Sequence, residues 1–173
     1  MLTNEFIVVG KIFSTHGISG WLKLGSKNGV ISTHSQEIKS VFLQQKTFQE
    51  IKIEEIVKAN NFHLIKFTEI DSVEDADDLV GKEIYLPREK ILSWKTENEY
   101  FEFELLGFSP TSNGKKISEY VFKQFIENPA HTILQFQSEE NEVLIPFIEN
   151  FVGEINLEEK TIEIKNWEDW LAV

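Results

Sequence analysis

Cysteine is absent from this chain of 173 residues. The absence excludes a disulfide framework, a thiolate zinc site, an iron–sulfur cluster and a cysteine nucleophile. Long apolar runs are also missing, since the runs at residues 7–9 and 143–148 are far shorter than the roughly 20 residues that span a bilayer. No early segment has the charged start and apolar core of a secretory signal. The sequence therefore predicts a soluble, cytoplasmic protein with no membrane partner.

The common sequence signatures of catalysis and cofactor binding are missing as well. There is no P-loop, no Gly-x-Gly-x-x-Gly after a strand, no Gly-x-Ser-x-Gly and no His-Glu-x-x-His. The histidines are scattered, with no second His or carboxylate at metal-ligand spacing; they are His16, His34, His63 and His131. We therefore predict no enzyme activity, no catalytic residue, no metal and no cofactor.

A pair of carboxylates offers the one catalytic alternative. Glu102 and Glu104 fall on one face if residues 101–105 are extended, and paired carboxylates can perform acid–base hydrolysis. Such a pair is also expected by chance in an acidic half-chain. A hydrolase using Glu102 and Glu104 stays open as a minor hypothesis.

Charge is unevenly distributed along the chain, whose net charge is −12. Residues 1–68 carry eight lysines against five glutamates, a net +3, whereas residues 93–173 carry six lysines against sixteen acids, a net −10. The first region can meet phosphate locally and the second suits a basic partner. The alternative is that both charge runs are simply solvated faces.

Short strands dominate the predicted secondary structure of the first half. The alternating apolar pattern predicts strands at residues 6–13, 21–24, 51–57, 63–67 and 83–86. One helix is expected between the last two of these strands, with Ser72 as N-cap, Asp75 completing a capping box and Gly81 ending it. The pattern weakens from residue 88, and this predicts a linker at residues 93–98.

The second half again favours strands, at residues 121–125, 132–136, 143–146 and 161–164. Asn113 and Gly114 are typical of a two-residue hairpin turn, and Pro146 indicates an edge strand or a strand end. The tail can form a short helix with Trp167, Trp170 and Leu171 on one face. The predicted fold class is all-β, with two small β-barrel domains in series, at residues 1–92 and 99–173, one short helix in the first and a short C-terminal helix.

Glycine and aromatic placement gives the candidate binding residues. Gly10, Gly17 and Gly20 surround one loop that Lys11 and Lys23 flank, so the backbone there can approach another surface while the lysines reach phosphate. A tight hairpin with two solvated lysines is the equally good alternative.

The aromatic residues Tyr100, Phe101 and Phe103 follow the linker. Neighbouring side chains on a strand point to opposite faces, so one of Tyr100 and Phe101 is expected to be exposed or packed on the other domain. An exposed aromatic side chain is a typical anchor for a protein partner.

The order of these segments resembles a known family. Residues 9–24 (VGKIFSTHGISGWLKL) are similar to the opening motif of the ribosome maturation factor RimM family, and residues 64–67 and 70–88 resemble the end of its N-terminal barrel. Residues 99–107, 142–148 and 155–164 resemble the start and the end of its C-terminal PRC-type barrel.

The resemblance implies a non-catalytic assembly factor for the small (30S) ribosomal subunit. Members of the family assist processing of 16S ribosomal RNA and maturation of the subunit head, binding free 30S subunits and the basic head protein numbered nineteen. A monomer suffices for this role. The alternative is a two-barrel regulatory protein-binding module unrelated to ribosomes.

Site residues follow from the same resemblance. Tyr100 and Phe101 occupy the positions of two aromatic residues implicated in ribosome association, and Phe103 is close enough to add to them; Glu102 stands where Trp is usual. The residues expected near RNA come instead from the glycine loop and its flanking lysines described above, and they are Lys11, His16, Gly17, Gly20 and Lys23.

Overall fold

The computed structural model describes residues 5–171 and divides the chain into two compact units, Met1–Phe101 and Glu102–Val173. Strands predominate in both, so the predicted all-β class is confirmed. The first unit extends beyond the predicted linker at residues 93–98, because residues up to Phe101 pack within it. No helix within residues 5–171 has the length and apolar character needed to cross a bilayer.

The first unit is built on a closed antiparallel barrel. Its strands are β1 (Phe6–His16), β2 (Trp21–Ser26), β3 (Ser40–Gln44), β4 (Phe48–Lys58), β5 (His63–Phe67) and β6 (Glu83–Pro87). They pair in the order β1-β2-β5-β4-β3-β6, and β6 returns to β1. Closure leaves no open sheet edge in this barrel, so side chains can only face its interior or its exterior.

Apolar residues at alternate positions fill the barrel interior. On the strands where the pattern is clearest, the fully buried side chains are Val9, Ile12, Leu22, Leu24, Ile65, Phe67, Ile84 and Leu86. Between Ile12 and Ser14 the register of β1 shifts, since Ile12 pairs with Leu24 and Ser14 with Lys23. The additional residue of this β-bulge is Phe13, which is half exposed.

Three short helices accompany the barrel: α1 (Val30–His34), α2 (Val73–Asp77) and α3 (Arg88–Ser93). The predicted cap of α2 is confirmed, since the Asp75 amide donates to the Ser72 hydroxyl at 3.1 Å. The helix ends at Asp77, earlier than predicted, and a turn then leads to Gly81 at φ +86°. The sequence does not predict the other two helices, because five or six residues are too few to show a helical period.

The second unit contains α4 (Glu102–Leu105), β7 (Ser109–Ser112), β8 (Lys115–Lys116), β9 (Val121–Ile126), β10 (Ile133–Gln137), β11 (Glu142–Pro146), β12 (Val152–Asn156), β13 (Thr161–Ile164) and α5 (Trp167–Leu171). The strands form two sheets, β11-β10-β9 and β12-β13-β7-β8. The strand β11, which ends in Pro146, lies at a sheet edge as predicted. Asn113 and Gly114 take the positive φ values of 51° and 74° that the predicted hairpin needs.

An aromatic cluster forms the core of the second unit. Trp167, the first residue of the predicted C-terminal helix, is 1% exposed and packs edge-on against Tyr120 and Phe136 at 5.1 and 5.7 Å between ring centres. Trp170 lies 5.0 Å from the Phe151 ring, while Leu171 is exposed. The helix is confirmed, but Trp167 alone of the three predicted apolar residues enters the core.

Lys66 is a buried charge that holds the turn after β5. Its ammonium group donates to the carbonyl oxygens of Phe67 and Ile70 at 3.1 and 2.5 Å, and lies 2.8 Å from the Asp71 carboxylate. The hydrogen bond to Asp71 raises the pKa of Lys66 above its ordinary value of 10.5, although burial opposes the shift. The ammonium group of Lys66, a residue of β5, therefore fixes the backbone around Ile70.

We predict that Lys66→Met lowers the free energy of unfolding by roughly 1–3 kcal/mol, since it leaves two carbonyl groups without their donor. A raised lysine pKa stabilises the folded state fully below the unfolded pKa, and this stabilisation is lost as pH rises through the folded pKa. Urea unfolding should therefore give a constant difference from wild type between neutral pH and about pH 10, shrinking above it. A difference that grows with alkaline pH would contradict this role.

Candidate interaction surfaces

The turn that joins β1 and β2 is held in place by a close backbone contact. Gly20 is buried with φ +80°, and a Cβ atom at this position would overlap the carbonyl oxygen of Ile70. No other residue type fits in that space. Because Lys66 binds the same carbonyl oxygen, the turn lies on a backbone segment that is itself fixed.

The rest of the turn faces outward. Gly17 has φ +68°, and a Cβ atom there would meet no other atom within 4 Å, so its backbone angle alone favours glycine. Ile18 is 81% exposed, which is unusual for a large apolar side chain. His16 and Gly17 line a shallow groove of about 340 Å³ together with Ile18, Ser19, Trp21, Glu55, Val57 and Leu64.

The two predicted lysines lie at different places on the barrel exterior. Lys23 pairs with Leu64 of β5, which lines the groove, and its ammonium group lies 5.3 Å from the centre of the Phe62 ring. Lys11 instead pairs with Glu83 of β6. A hydrogen bond from Lys27 holds the pKa of Glu83 below its ordinary value, so Lys11 has an anionic neighbour at neutral pH.

The predicted RNA-proximal residues therefore separate into three roles in the structure. His16, Gly17 and Lys23 surround or adjoin the groove. Gly20 is buried and holds the turn against the backbone of Ile70. Lys11 stands on the side of the barrel nearer β6.

Residues 96–101 form a second candidate surface, and a hydrogen-bonded carboxylate organises it. Glu99 Oε1 lies 3.0 Å from His34 Nε2, and Glu99 Oε2 accepts from the Thr96 amide at 2.9 Å. Burial would raise the pKa of Glu99, but the bonds from Thr96 and His34 outweigh it and hold the pKa below its ordinary value. An anionic Glu99 thus fastens this segment to α1.

The aromatic residues of this segment differ in exposure. Phe101 is 3% exposed, and its ring lies 5.7 Å from that of His34. Tyr100 is half-buried beneath Lys95, whose ammonium group is 4.6 Å from the ring centre. Phe103 belongs to α4 of the second unit and is also half-buried. Sequence analysis missed His34 and Glu99, since 65 residues separate them and spacing carries no signal.

The expectation that Glu102 and Glu104 share one face is wrong. Residues 102–105 form a helix, and side chains two positions apart on a helix do not face each other. Glu102 instead accepts from the Phe125 amide at 2.8 Å, and its partial burial raises the pKa of its carboxyl group. Among residues 5–171 no cluster of three or more His, Asp or Glu side chains could hold a metal ion.

Acidic side chains cover much of the second unit. Residues 102–171 contain fourteen acids and five lysines. Twelve of those acids are exposed: Glu119, Glu127, Glu139, Glu140, Glu142, Glu149, Glu154, Glu158, Glu159, Glu163, Glu168 and Asp169. An excess of this size gives the surface a negative potential that attracts basic partners and repels nucleic acid.

We predict that Gly20→Ala lowers the free energy of unfolding by roughly 2–4 kcal/mol, because it adds a backbone clash to the cost of a positive φ. Gly17→Ala is the matched control, since it has a similar backbone angle without a clash, and should cost about 1 kcal/mol. Thermal or urea unfolding of both variants measures the difference. Equal losses would show that the contact with Ile70 does not constrain the turn.

Comparison with known proteins gives consistent matches over the whole chain. Residues 7–91 match the model of the RimM N-terminal domain. A ribosome maturation factor RimM from Leptospira borgpetersenii is 31% identical over 176 residues, covering 99% of this chain and 100% of the relative. One of the same name from Thermotoga neapolitana is 33% identical over 178 residues, covering 98% and 96%.

Among solved structures, a RimM protein from Pseudomonas aeruginosa matches with a TM-score of 0.47 and 20% identity, covering 95% of this chain and 99% of that one. The N-terminal domain of RimM from Thermus thermophilus matches with a TM-score of 0.40 and 15% identity, covering 47% and 87%.

Proposed function

Because this chain belongs to the RimM family of ribosome maturation factors, we propose that it is a non-catalytic assembly factor for the small ribosomal subunit. It acts in the cytoplasm on free 30S particles, where it assists processing of 16S ribosomal RNA and maturation of the subunit head. The observation that carries this proposal is family membership along nearly the full chain. The two units divide the work between a protein partner and RNA.

The second unit binds a basic protein, which we take to be the small-subunit head protein numbered nineteen. This proposal is supported by the net charge of −9 on residues 102–171, since most of the acidic side chains there are exposed. Charge complementarity of this kind speeds encounter and selects partners, and it weakens with salt. An assembly factor has to leave the finished particle, so an affinity that salt can reduce is suitable.

The aromatic segment adds the apolar part of the protein contact. Tyr100 is the accessible member of its pair, and Phe103 follows it in the chain. Phe101 is buried, so it acts by holding the segment against His34. The RNA contact belongs to the first unit, near His16, Gly17 and Lys23, with Lys11 further along the barrel and Gly20 supporting the turn.

Cosedimentation separates this proposal from the alternative of a regulatory protein-binding module. The protein should sediment with free small subunits. When complete ribosomes are used instead, it should remain in the supernatant. Binding to neither particle would overturn the proposal and favour the regulatory module.

Charge reversal tests the acidic surface. We expect Glu158→Lys combined with Glu159→Lys to weaken association with free small subunits about three- to tenfold, because exposed charges each contribute a fraction of a kcal/mol. The matched control, Asp77→Lys with Asp78→Lys, makes the same charge change on exposed residues of the first unit. Equal weakening in both variants would mean that total charge, and not the second unit, governs binding.

Removal of one aromatic ring, that of Tyr100, tests whether the aromatic segment contacts the protein partner. We predict that Tyr100→Ala weakens cosedimentation about tenfold or more, as expected for an aromatic anchor at an interface, whereas Tyr100→Phe keeps the ring and binds nearly as wild type. Phe101→Ala is unsuitable, since losing a buried Phe costs about 3–5 kcal/mol of stability. Leu106→Ala, at an exposed apolar residue, is the control. Unchanged binding of Tyr100→Ala would remove this residue from the interface.

A further inference from the structure

The barrel exterior carries apolar side chains that the core does not use. They lie on β1, β2, β4, β5 and the connecting turns, and we name them the outer-face patch: Phe13, Ile18, Trp21, Val57, Phe62 and Leu64. Three of them are at least 40% exposed, namely Ile18 at 81%, Phe13 at 50% and Val57 at 40%. Ile18, Trp21, Val57 and Leu64 line the groove, and Phe13 and Phe62 meet beside Lys23, which pairs with Leu64. Exposed apolar side chains grouped on one face mark an interaction site in a folded protein.

Rigid backbone features present the patch. The bulge in β1 adds Phe13 to the strand next to the buried Ile12, and Phe13 is half exposed, while Gly20 packs the turn that carries Ile18 onto the backbone of Ile70. The pairing of Val57 with Leu64 places both on the exterior, since the next pair along the two strands includes the buried Ile65. Bulges that redirect a side chain are typical of functional surfaces.

Two aromatic rings and a lysine stand together on this patch. The rings of Phe13 and Phe62 meet edge to face at 5.9 Å and 88°, and the Lys23 ammonium group lies over the Phe62 ring at 5.3 Å. Proteins that bind single-stranded nucleic acid combine these parts, because a base stacks on an aromatic face while a nearby cation neutralises the backbone phosphate.

We propose that the outer-face patch binds single-stranded RNA, with an unpaired base stacked on Phe13 or Phe62 and a phosphate beside Lys23. The inference rests on the proposed function, which it deepens by naming the form of RNA and the residues that hold it. Single-stranded RNA is specified because a stacked base has to be unpaired to reach a side chain on a barrel surface.

Charge over the whole chain favours RNA over a basic protein at this place. Residues 1–101, the first unit, carry a net charge of −3 and residues 102–173 carry −9, so a polyanion is repelled less by the first unit. Within the first unit, residues 1–68, which include five of the six barrel strands, carry a net +3. A basic polypeptide would instead be drawn to the second unit. Glu55 is the acid that lines the groove beside the patch, and it works against RNA there.

The test uses the full-length protein and a fluorescently labelled oligouridine of about eight nucleotides, within the usual range of single-strand site sizes. Fluorescence anisotropy at low salt should show that the protein binds this single strand more tightly than an RNA duplex of the same length. Phe13→Ala should weaken binding about tenfold, and Phe13→Leu nearly as much, because Leu keeps apolar area but has no stacking face. Phe13→Tyr should bind within about twofold of wild type.

Two charge variants give independent readouts. Lys23→Ala should reduce the slope of log affinity against log salt by about 0.7, the value for one phosphate on a single strand. Glu55→Gln should tighten binding about two- to threefold, since it removes an anion near the phosphates. Leu157→Ala, which truncates a similarly exposed apolar residue of the second unit, should change nothing. Thermal unfolding of each variant confirms that the fold is retained.

The outcomes separate this inference from the proposed function. No binding of oligouridine, or equal binding by Phe13→Leu and wild type, would overturn the inference even if cosedimentation with small subunits is intact. The inference would also be overturned if Phe13→Leu lost a contact with a ribosomal protein and kept its binding of RNA. The patch would then be a protein-binding site. Oligouridine binding that follows Phe13, Lys23 and Glu55 as described supports it, whatever the cosedimentation shows.

Discussion

Closure of the first sheet into a barrel imposes a strict choice on every side chain of its strands. A strand alternates between two faces, and in a closed barrel one of these is the interior. Ile12 and Leu24 fill that interior, so their neighbours Lys23 and Phe13 have to face outward. The candidate surface of this unit is therefore a consequence of core packing. A one-residue slip of register would exchange the two sets.

The barrel also depends on contacts that join distant parts of the chain. The turn after β1 lies on the backbone of Ile70, which Lys66 holds through the same carbonyl oxygen. The segment before the second unit is fastened in a comparable way, by Glu99 on His34. In both places a buried or half-buried charged group organises backbone next to a surface that we assign to binding. Charged groups are effective there because their hydrogen bonds are shorter and stronger than neutral ones.

The two units differ in the physical basis of their interactions. On the first unit the outer-face patch places aromatic rings beside one lysine, so the RNA contact proposed there depends on stacking and on a local cation. The second packs Tyr120 and Phe136 around Trp167 in its core and carries twelve exposed carboxylates. The two contacts that we propose, with an anionic and with a cationic partner, therefore fall on different units of the chain. Of the two proposed contacts, we expect salt to weaken the one on the acidic surface more than the stacking contact, because only the former depends mainly on charge.

The sequence by itself determined the features that arise within a few residues. It located nine of the thirteen strands that the structure describes within residues 5–171, the Ser72 cap and the hairpin at Asn113, because alternation, capping and turn formation are local chemistry. It missed β3, β7, β8 and β12. It also established the division of charge and the family resemblance.

Only the tertiary structure decided which side chains are available. The sequence allows Glu102 an acid–base role, but helix formation and the Phe125 amide give it a structural one. The sequence places Gly20 among the residues expected near RNA, and the structure shows that it is buried, where it holds the turn against the backbone of Ile70. Phe101 is buried against His34, whereas Phe13, the additional residue of a β-bulge, is half exposed. Exposure depends on which distant segments meet, and neither spacing nor composition encodes that in a single sequence.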